Sequence, residues 1–247
     1  MDRDEFALAA TTNDLTRESE ARGAADFIEF RMDKADEPIA QLDSYDGELP
    51  IIATNRSQWF GGNAIDHGRL DRLMEAARSD AVEMVDIELE TARGKEWVVD
   101  EFRETDIELI ISFHEFEETP DQSTLNAIIE ECTQYGDIAK VATFANDQTD
   151  TLRMLNAINT ATTDGTKIAG ISMGEIGSHV RVLGPLYGSK LGYAPLETDT
   201  SEYAPGQISL QRLRSLIEAI KQGETETQII DGVEESVSAS QGFSQTD

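Results

Sequence analysis

The chain has 247 residues, 49 acidic against 20 basic side chains, a formal net charge of −29, 39% hydrophobic residues and one cysteine. That apolar content suffices for a folded core, the lone Cys132 excludes an internal disulfide framework, and so negative a surface excludes polyanionic partners such as nucleic acid. Residues 1–5 are polar and acidic, unlike a secretory leader, and no apolar run is long enough for a bilayer, so a cytoplasmic protein without a membrane partner is expected. Arginines outnumber lysines 14 to 6. An acid-rich surface of this kind resembles proteins of salt-loving archaea, in which salt screens self-repulsion.

Residues 6–10 form the first predicted strand, and Thr12 or Asn13 caps a helix over 14–22. Strands follow at 25–32 and 49–54, separated by a short helix over 37–45 and an Asp46-Gly47 turn. After a polar loop with Gly61-Gly62, residues 65–77 place Leu70, Leu73, Met74 and Ala77 on one face of an amphipathic helix. A strand at 84–89 leads to a helix over 96–103, and a strand at 106–114 leads to a helix containing 125–132. The sixth strand, within 136–144, carries Lys140 among Ile138, Ala139, Val141 and Ala142. A helix over 150–160, a strand at 167–174, a short helix over 180–187, a weaker strand at 190–194 and a last helix over 210–220 complete the pattern.

Strand then helix recurs eight times, and the strands are continuous apolar runs, as expected where helices cover them. This predicts an α/β fold, a closed (β/α)8 TIM barrel, as one domain over residues 1–221. A doubly wound open sheet is the alternative; the chain lacks its Gly-x-Gly-x-x-Gly turn and any phosphate-binding Gly-rich loop. Residues 222–247 hold six acids and no base, and are expected to form a flexible acidic tail.

In such a barrel the chemistry sits at the C-terminal ends of the strands. Glu29 with Arg31, Asp86 with Glu88, and Ser112 with His114 are each two residues apart, so each pair shares a strand face. Glu88, His114 and Lys140 are spaced 26 and 26 residues apart, one βα unit each, which brings them onto successive strands. A lysine amine in an apolar site is expected to have a depressed pKa and to attack a carbonyl. A histidine in reach moves protons, and a carboxylate on the third strand orients it. Arg31, Arg56 and Arg181 end or follow strands and suit a substrate carboxylate. The alternative for Lys140 is a buried salt bridge to Glu88 or Asp86, and the residues alone leave both readings open. There is no His-x-His or Cys-x-x-Cys, so the usual structural zinc signals are absent, while a carboxylate magnesium site stays open.

These segments together resemble the type I 3-dehydroquinate dehydratase family, over about residues 6–220. The resemblance rests on Ile28-Glu29-Phe30-Arg31, on Thr54-Asn55-Arg56 followed by Gly61-Gly62, and on Asp86-Ile87-Glu88-Leu89. It rests also on Ile111-Ser112-Phe113-His114-Glu115-Phe116 with Thr119-Pro120, and on Asp137-Ile138-Ala139-Lys140. Farther on, Met173-Gly174, Gly177, Arg181, Gly184, Tyr187-Gly188-Ser189 and Ala204-Pro205-Gly206-Gln207 keep the family's order. The resemblance implies loss of water from 3-dehydroquinate through a Schiff base on Lys140, with His114 as acid and base, Glu88 orienting it, and no metal or cofactor needed. Arg181 would hold the substrate carboxylate, while Glu29, Arg31, Arg56 and Gln207 position the ring and a lid loop. Tyr193 falls where the family usually has phenylalanine, and Tyr203 and Val180 fall where it has serine. An N-terminal hairpin under the barrel is expected to be missing, and the family's habit implies a homodimer. The alternatives are a class I aldolase or transaldolase using the same lysine, and a sugar-acid binder that forms no covalent adduct.

Overall fold

Eight parallel strands run in the order β7-β6-β5-β4-β3-β2-β1-β8 around a nearly closed barrel in a computed structural model that describes residues 5–196 and 206–222. The strands are β1 Ala7–Thr12, β2 Phe27–Arg31, β3 Ile51–Thr54, β4 Val82–Glu88, β5 Glu108–Glu115, β6 Ile138–Phe144, β7 Ile168–Met173 and β8 Leu191–Pro195. The helices are α1 Pro38–Asp43, α2 Arg69–Ala76, α3 Leu89–Gly94, α4 Glu96–Arg103, α5 Gln122–Tyr135, α6 Gln148–Thr163, α7 Val180–Leu183 and α8 Leu210–Gln222. Seven strand pairs are joined by ladders. Among the described residues, the seam between β7 and β8 is held by one backbone bond, Lys190 N–H to Ile168 O at 2.7 Å, helped by the Ser189 hydroxyl near Gly170 N. Tyr203 and residues 223–247 of the expected tail lie outside the described residues.

Side-chain alternation divides the core in two. Outward residues such as Ile28, Phe30, Val85, Ile87, Leu109, Ile111 and Val141 pack against the helices. Inward residues Ala9, Phe27, Ile52, Met84, Ile110 and Ile138 fill the lower barrel. Both faces are buried, hence the unbroken apolar runs in the sequence.

Three local expectations are corrected. Residues 14–22 form a 3-10 turn, Leu15–Glu20, rather than an α-helix. Its buried residues Leu15, Glu18 and Ala21 recur at intervals of three, the 3-10 period. The helix expected from residue 65 begins at Arg69, because Gly68 at φ 72 takes a left-handed conformation before it. Helix α3, not foreseen, starts at Leu89, which reads in sequence as the last residue of β4. A short apolar run does not distinguish the end of a strand from the start of a buried helix.

Candidate active site

Each central strand changes character along its inward face. Apolar Phe27, Ile52, Met84, Ile110 and Ile138 give way two residues later to Glu29, Thr54, Asp86, Ser112 and Lys140. Above this polar layer lies a cavity of about 450 Å³ at the C-terminal end of the barrel. Glu29, Arg31, Arg56, His114, Lys140, Arg181, Tyr193 and Gln207, all expected site residues, line it; Glu88 does not.

Lys140 stands at the centre. Its Nζ donates to Asp86 Oδ2 at 2.9 Å and to Glu29 Oε1 at 3.3 Å, and lies 3.9 Å from the centroid of the Tyr193 ring. Glu29 is held in turn by the Thr11 hydroxyl at 2.7 Å and that of Thr54 at 3.3 Å. Asp86 Oδ1 accepts from Ser112 Oγ at 2.6 Å and from Arg56 Nη2 at 2.8 Å, while Arg56 Nη1 donates to Ser112 Oγ at 2.7 Å. The expected depression of the lysine pKa is therefore corrected. Burial does oppose the charge, but Asp86 and Glu29 outweigh it, and the pKa stands well above the ordinary lysine value. The resting side chain is an ammonium. Asp86 and Glu29 are also held ionised: burial opposes them, but Arg56 and Lys140 outweigh it at Asp86, and Lys140 and Arg31 at Glu29.

His114 sits two residues above Ser112 on β5, with the Phe116 ring stacked beside it at 6.0 Å between centroids. No hydrogen bond or ion pair holds its imidazole among the described residues. Burial, then Arg56 and Lys140, push its pKa well below the usual value, so the ring is neutral. Glu88, expected to orient His114, has other hydrogen-bond partners among the described residues. In the strand register Glu88 pairs with Ser112, not His114. Its oxygens are taken by Arg69 Nη1 at 3.0 and 3.1 Å, by Thr91 Oγ1 at 2.9 Å and by the Ser57 N–H at 3.2 Å.

The far wall is cationic and unpaired. Arg181 is 9% exposed and, among the described residues, makes one bond, to the Tyr193 carbonyl at 3.3 Å, and leaves Nε without a partner. Burial alone lowers its pKa, to about 10. Tyr193 Oη and Gln207 Oε1 are likewise buried without partners among the described residues. The guanidinium suits a carboxylate, and the hydroxyl and the amide oxygen suit the hydroxyl groups of a polar occupant. Gly206 sits so close to the end of β7 that a Cβ there would lie 2.0 Å from Gly174 O, which ties Gln207 to this wall. Arg31 is paired with Asp33 at 2.8 Å, so its charge is partly spent.

Sequence reasoning passed over Asp86 as a site residue and missed Arg69 altogether. Asp86 carried a signal, since it shares the inward face of β4 with Met84. Arg69 carried none: an arginine at the start of a surface helix reads as solvated, yet it is 2% exposed.

Comparison with known proteins agrees with this geometry. Residues 8–224 match the family model described as Type I 3-dehydroquinase. The chain is 44% identical over 223 residues to 3-dehydroquinate dehydratase of Haloarcula marismortui, covering 88% of this chain and 97% of that one. It is 42% identical over 224 residues to the enzyme of the same name from Halobacterium salinarum, covering 88% and 98%. The crystal structure of 3-dehydroquinate dehydratase from Geobacillus kaustophilus superposes with a TM-score of 0.77 at 28% identity, covering 90% of this chain and 93% of that one.

Proposed function

Since this chain belongs to the type I 3-dehydroquinase family, it dehydrates 3-dehydroquinate to 3-dehydroshikimate, and we propose that Lys140, His114 and Arg181 carry the chemistry. As a hydro-lyase it has no use for the aldolase reading, since relatives spanning 88% of the chain are dehydratases.

Arg181 receives the substrate carboxylate, the pairing its unpartnered guanidinium lacks. Lys140 gives one ammonium proton to neutral His114 and adds to the ketone carbon. The carbinolamine loses water with a proton supplied through His114, leaving an iminium. Asp86 and Glu29, which hold the resting ammonium, then hold the iminium in its protonated form, the form that withdraws electrons. Neutral His114 takes the proton from the carbon beside the iminium carbon, giving an enamine. The enamine electrons return and expel the hydroxyl one carbon farther on, and the imidazolium gives its proton to the leaving oxygen. Water hydrolyses the remaining iminium and frees Lys140. Glu29, Arg31, Arg56 and Gln207 position the ring, and Tyr193 packs beside the imine.

The observation that carries this reading is Lys140 Nζ, buried against two carboxylates in a cavity shared with a neutral histidine. Borohydride treatment in the presence of 3-dehydroquinate should add the reduced ligand to the peptide containing Lys140, as read by mass spectrometry. An unchanged mass, or a label on another side chain, rejects Lys140 as the nucleophile. Turnover in the same sample separates an enzyme from a sugar-acid binder.

Two finer statements belong to the same proposal. The chain works as a homodimer, supported by the family resemblance and testable by sedimentation. It works in the cytoplasm, supported by the absence, among the described residues, of any helix long and apolar enough to cross a membrane; fractionation tests this.

A further inference from the structure

Glu88, Arg69 and Thr91 form a buried polar cluster at the top of β4 and the starts of α2 and α3, and none of them lines the cavity. Arg69 Nη1 donates to both Glu88 oxygens, at 3.0 and 3.1 Å, and to the Asn55 carbonyl at 3.0 Å. Arg69 Nη2 donates to Thr91 Oγ1 at 3.0 Å, which donates onward to Glu88 Oε2 at 2.9 Å. Asn55 Nδ2 donates to the Arg69 carbonyl at 2.9 Å, and the Ser57 N–H donates to Glu88 Oε1 at 3.2 Å. The cluster therefore grips the residues on either side of Arg56. The Arg56 guanidinium itself lies 3.5 Å from Glu88 Oε1 while bonding to Asp86 and Ser112. Its carbonyl accepts from the Ala64 N–H at 3.0 Å, and Gly62 packs so closely that a Cβ would lie 2.1 Å from that oxygen.

A buried ion pair is a poor device for stability. Its desolvation offsets its attraction, and apolar side chains of similar volume often serve as well or better. What such a pair does supply is fixed geometry. We propose that the Glu88–Arg69–Thr91 cluster is a positioning device for Arg56. It clamps the backbone at Asn55 and Ser57 and shares the guanidinium's charge, so that Arg56 meets Asp86, Ser112 and the substrate at one angle. Glu88, Arg69 and Thr91 are positioning residues, acting through Arg56. The inference rests on Arg56 facing the substrate.

The double variant Glu88→Leu/Arg69→Met replaces both charges with apolar side chains. Its unfolding midpoint should equal or exceed that of the unaltered chain in the same salt. Its kcat/KM for 3-dehydroquinate should fall about 100-fold, the cost of misplacing a positioned group by roughly an ångström. Arg56→Ala measured alone should show a comparable loss, and adding it to the double variant should cost at most about twofold more, because the two changes remove one function. Activity of the double variant within about twofold of the unaltered chain overturns the proposal, as does a loss that multiplies in full with that of Arg56→Ala. An Arg56→Ala variant of undiminished activity instead overturns the reading of Arg56 as substrate-facing, and is seen in that single variant alone. Should the double variant fail to fold, Thr91→Val decides. It should retain the fold and lose about tenfold in kcat/KM, non-additively with Arg56→Ala; full activity or an additive loss overturns the proposal.

Discussion

Lys140 Nζ lies 2.9 Å from Asp86 Oδ2, closer than to Glu29, and Asp86 is itself fixed by Arg56 and Ser112. The amine is thus held charged by a carboxylate that two other groups keep in place. Asp86→Asn removes the charge and keeps the shape. The lysine should deprotonate more readily, so imine trapping should move to lower pH. The iminium loses its counter-ion, and turnover should fall about 100-fold. Borohydride trapping measured against pH, beside kcat, checks both halves. A kcat close to that of the unaltered chain removes Asp86 from the mechanism.

The imidazole of His114 must be neutral to accept a proton. Burial, Arg56 and Lys140 set its pKa below 6.5, so the base form persists as pH falls through the ordinary histidine range. The acid limb of kcat should therefore lie below pH 6.5, with no inflection at that value. A kcat profile with its inflection at or above the ordinary histidine value contradicts the assignment. His114→Ala should abolish most turnover while still permitting the imine to be trapped.

Arg181 is a buried cation with no acidic partner among the described residues. Arg181→Met should raise KM for 3-dehydroquinate by roughly 10- to 100-fold, the loss of one or two charge-assisted hydrogen bonds. It should also leave stability unchanged or increase it, because an uncompensated charge leaves the interior. Kinetics and thermal unfolding of one variant read both. An unaltered KM places the substrate carboxylate elsewhere.

A net charge of −29 repels itself at low ionic strength. Raising potassium chloride from about 0.1 M to about 1 M shortens the screening length from roughly 10 Å to 3 Å. The unfolding midpoint should rise steeply over that range. The cavity should not share the dependence in kind, since Lys140, Asp86 and Glu29 are buried and little screened. A salt-independent midpoint contradicts the halophilic reading of the composition.

The barrel was legible because its strands are buried on both faces and its units repeat. The positions of Glu29, Arg56, His114, Lys140 and Arg181 around one cavity followed from strand parity and from the family's motifs. The charge on Lys140 was legible only as the alternative reading, a buried salt bridge to Glu88 or Asp86, and Asp86 is the partner found. The lysine's neighbours in the chain, Ile138, Ala139, Val141 and Ala142, suggest a dry site and a depressed pKa. Its partners in space come from 54 and 111 residues away, and only closure of the barrel brings them together. The same limit applies to Glu88. Spacing put it on the strand next to His114, but spacing does not say which partners a side chain finds at the last residue of a strand. A buried arginine from α2 turned it away.

Among the described residues, seven edges of this barrel are joined by ladders, and the eighth is held by the Lys190 amide with help from the Ser189 hydroxyl. Thermal breathing follows the weakest join. Opening there would part β7 from β8, the staves that bear Ile171, Met173 and Tyr193, and would widen the mouth on the Arg181 side. The charged anchors on β2 to β6 stay put meanwhile, so a ligand can come and go through a wall that yields without disturbing the groups that react with it.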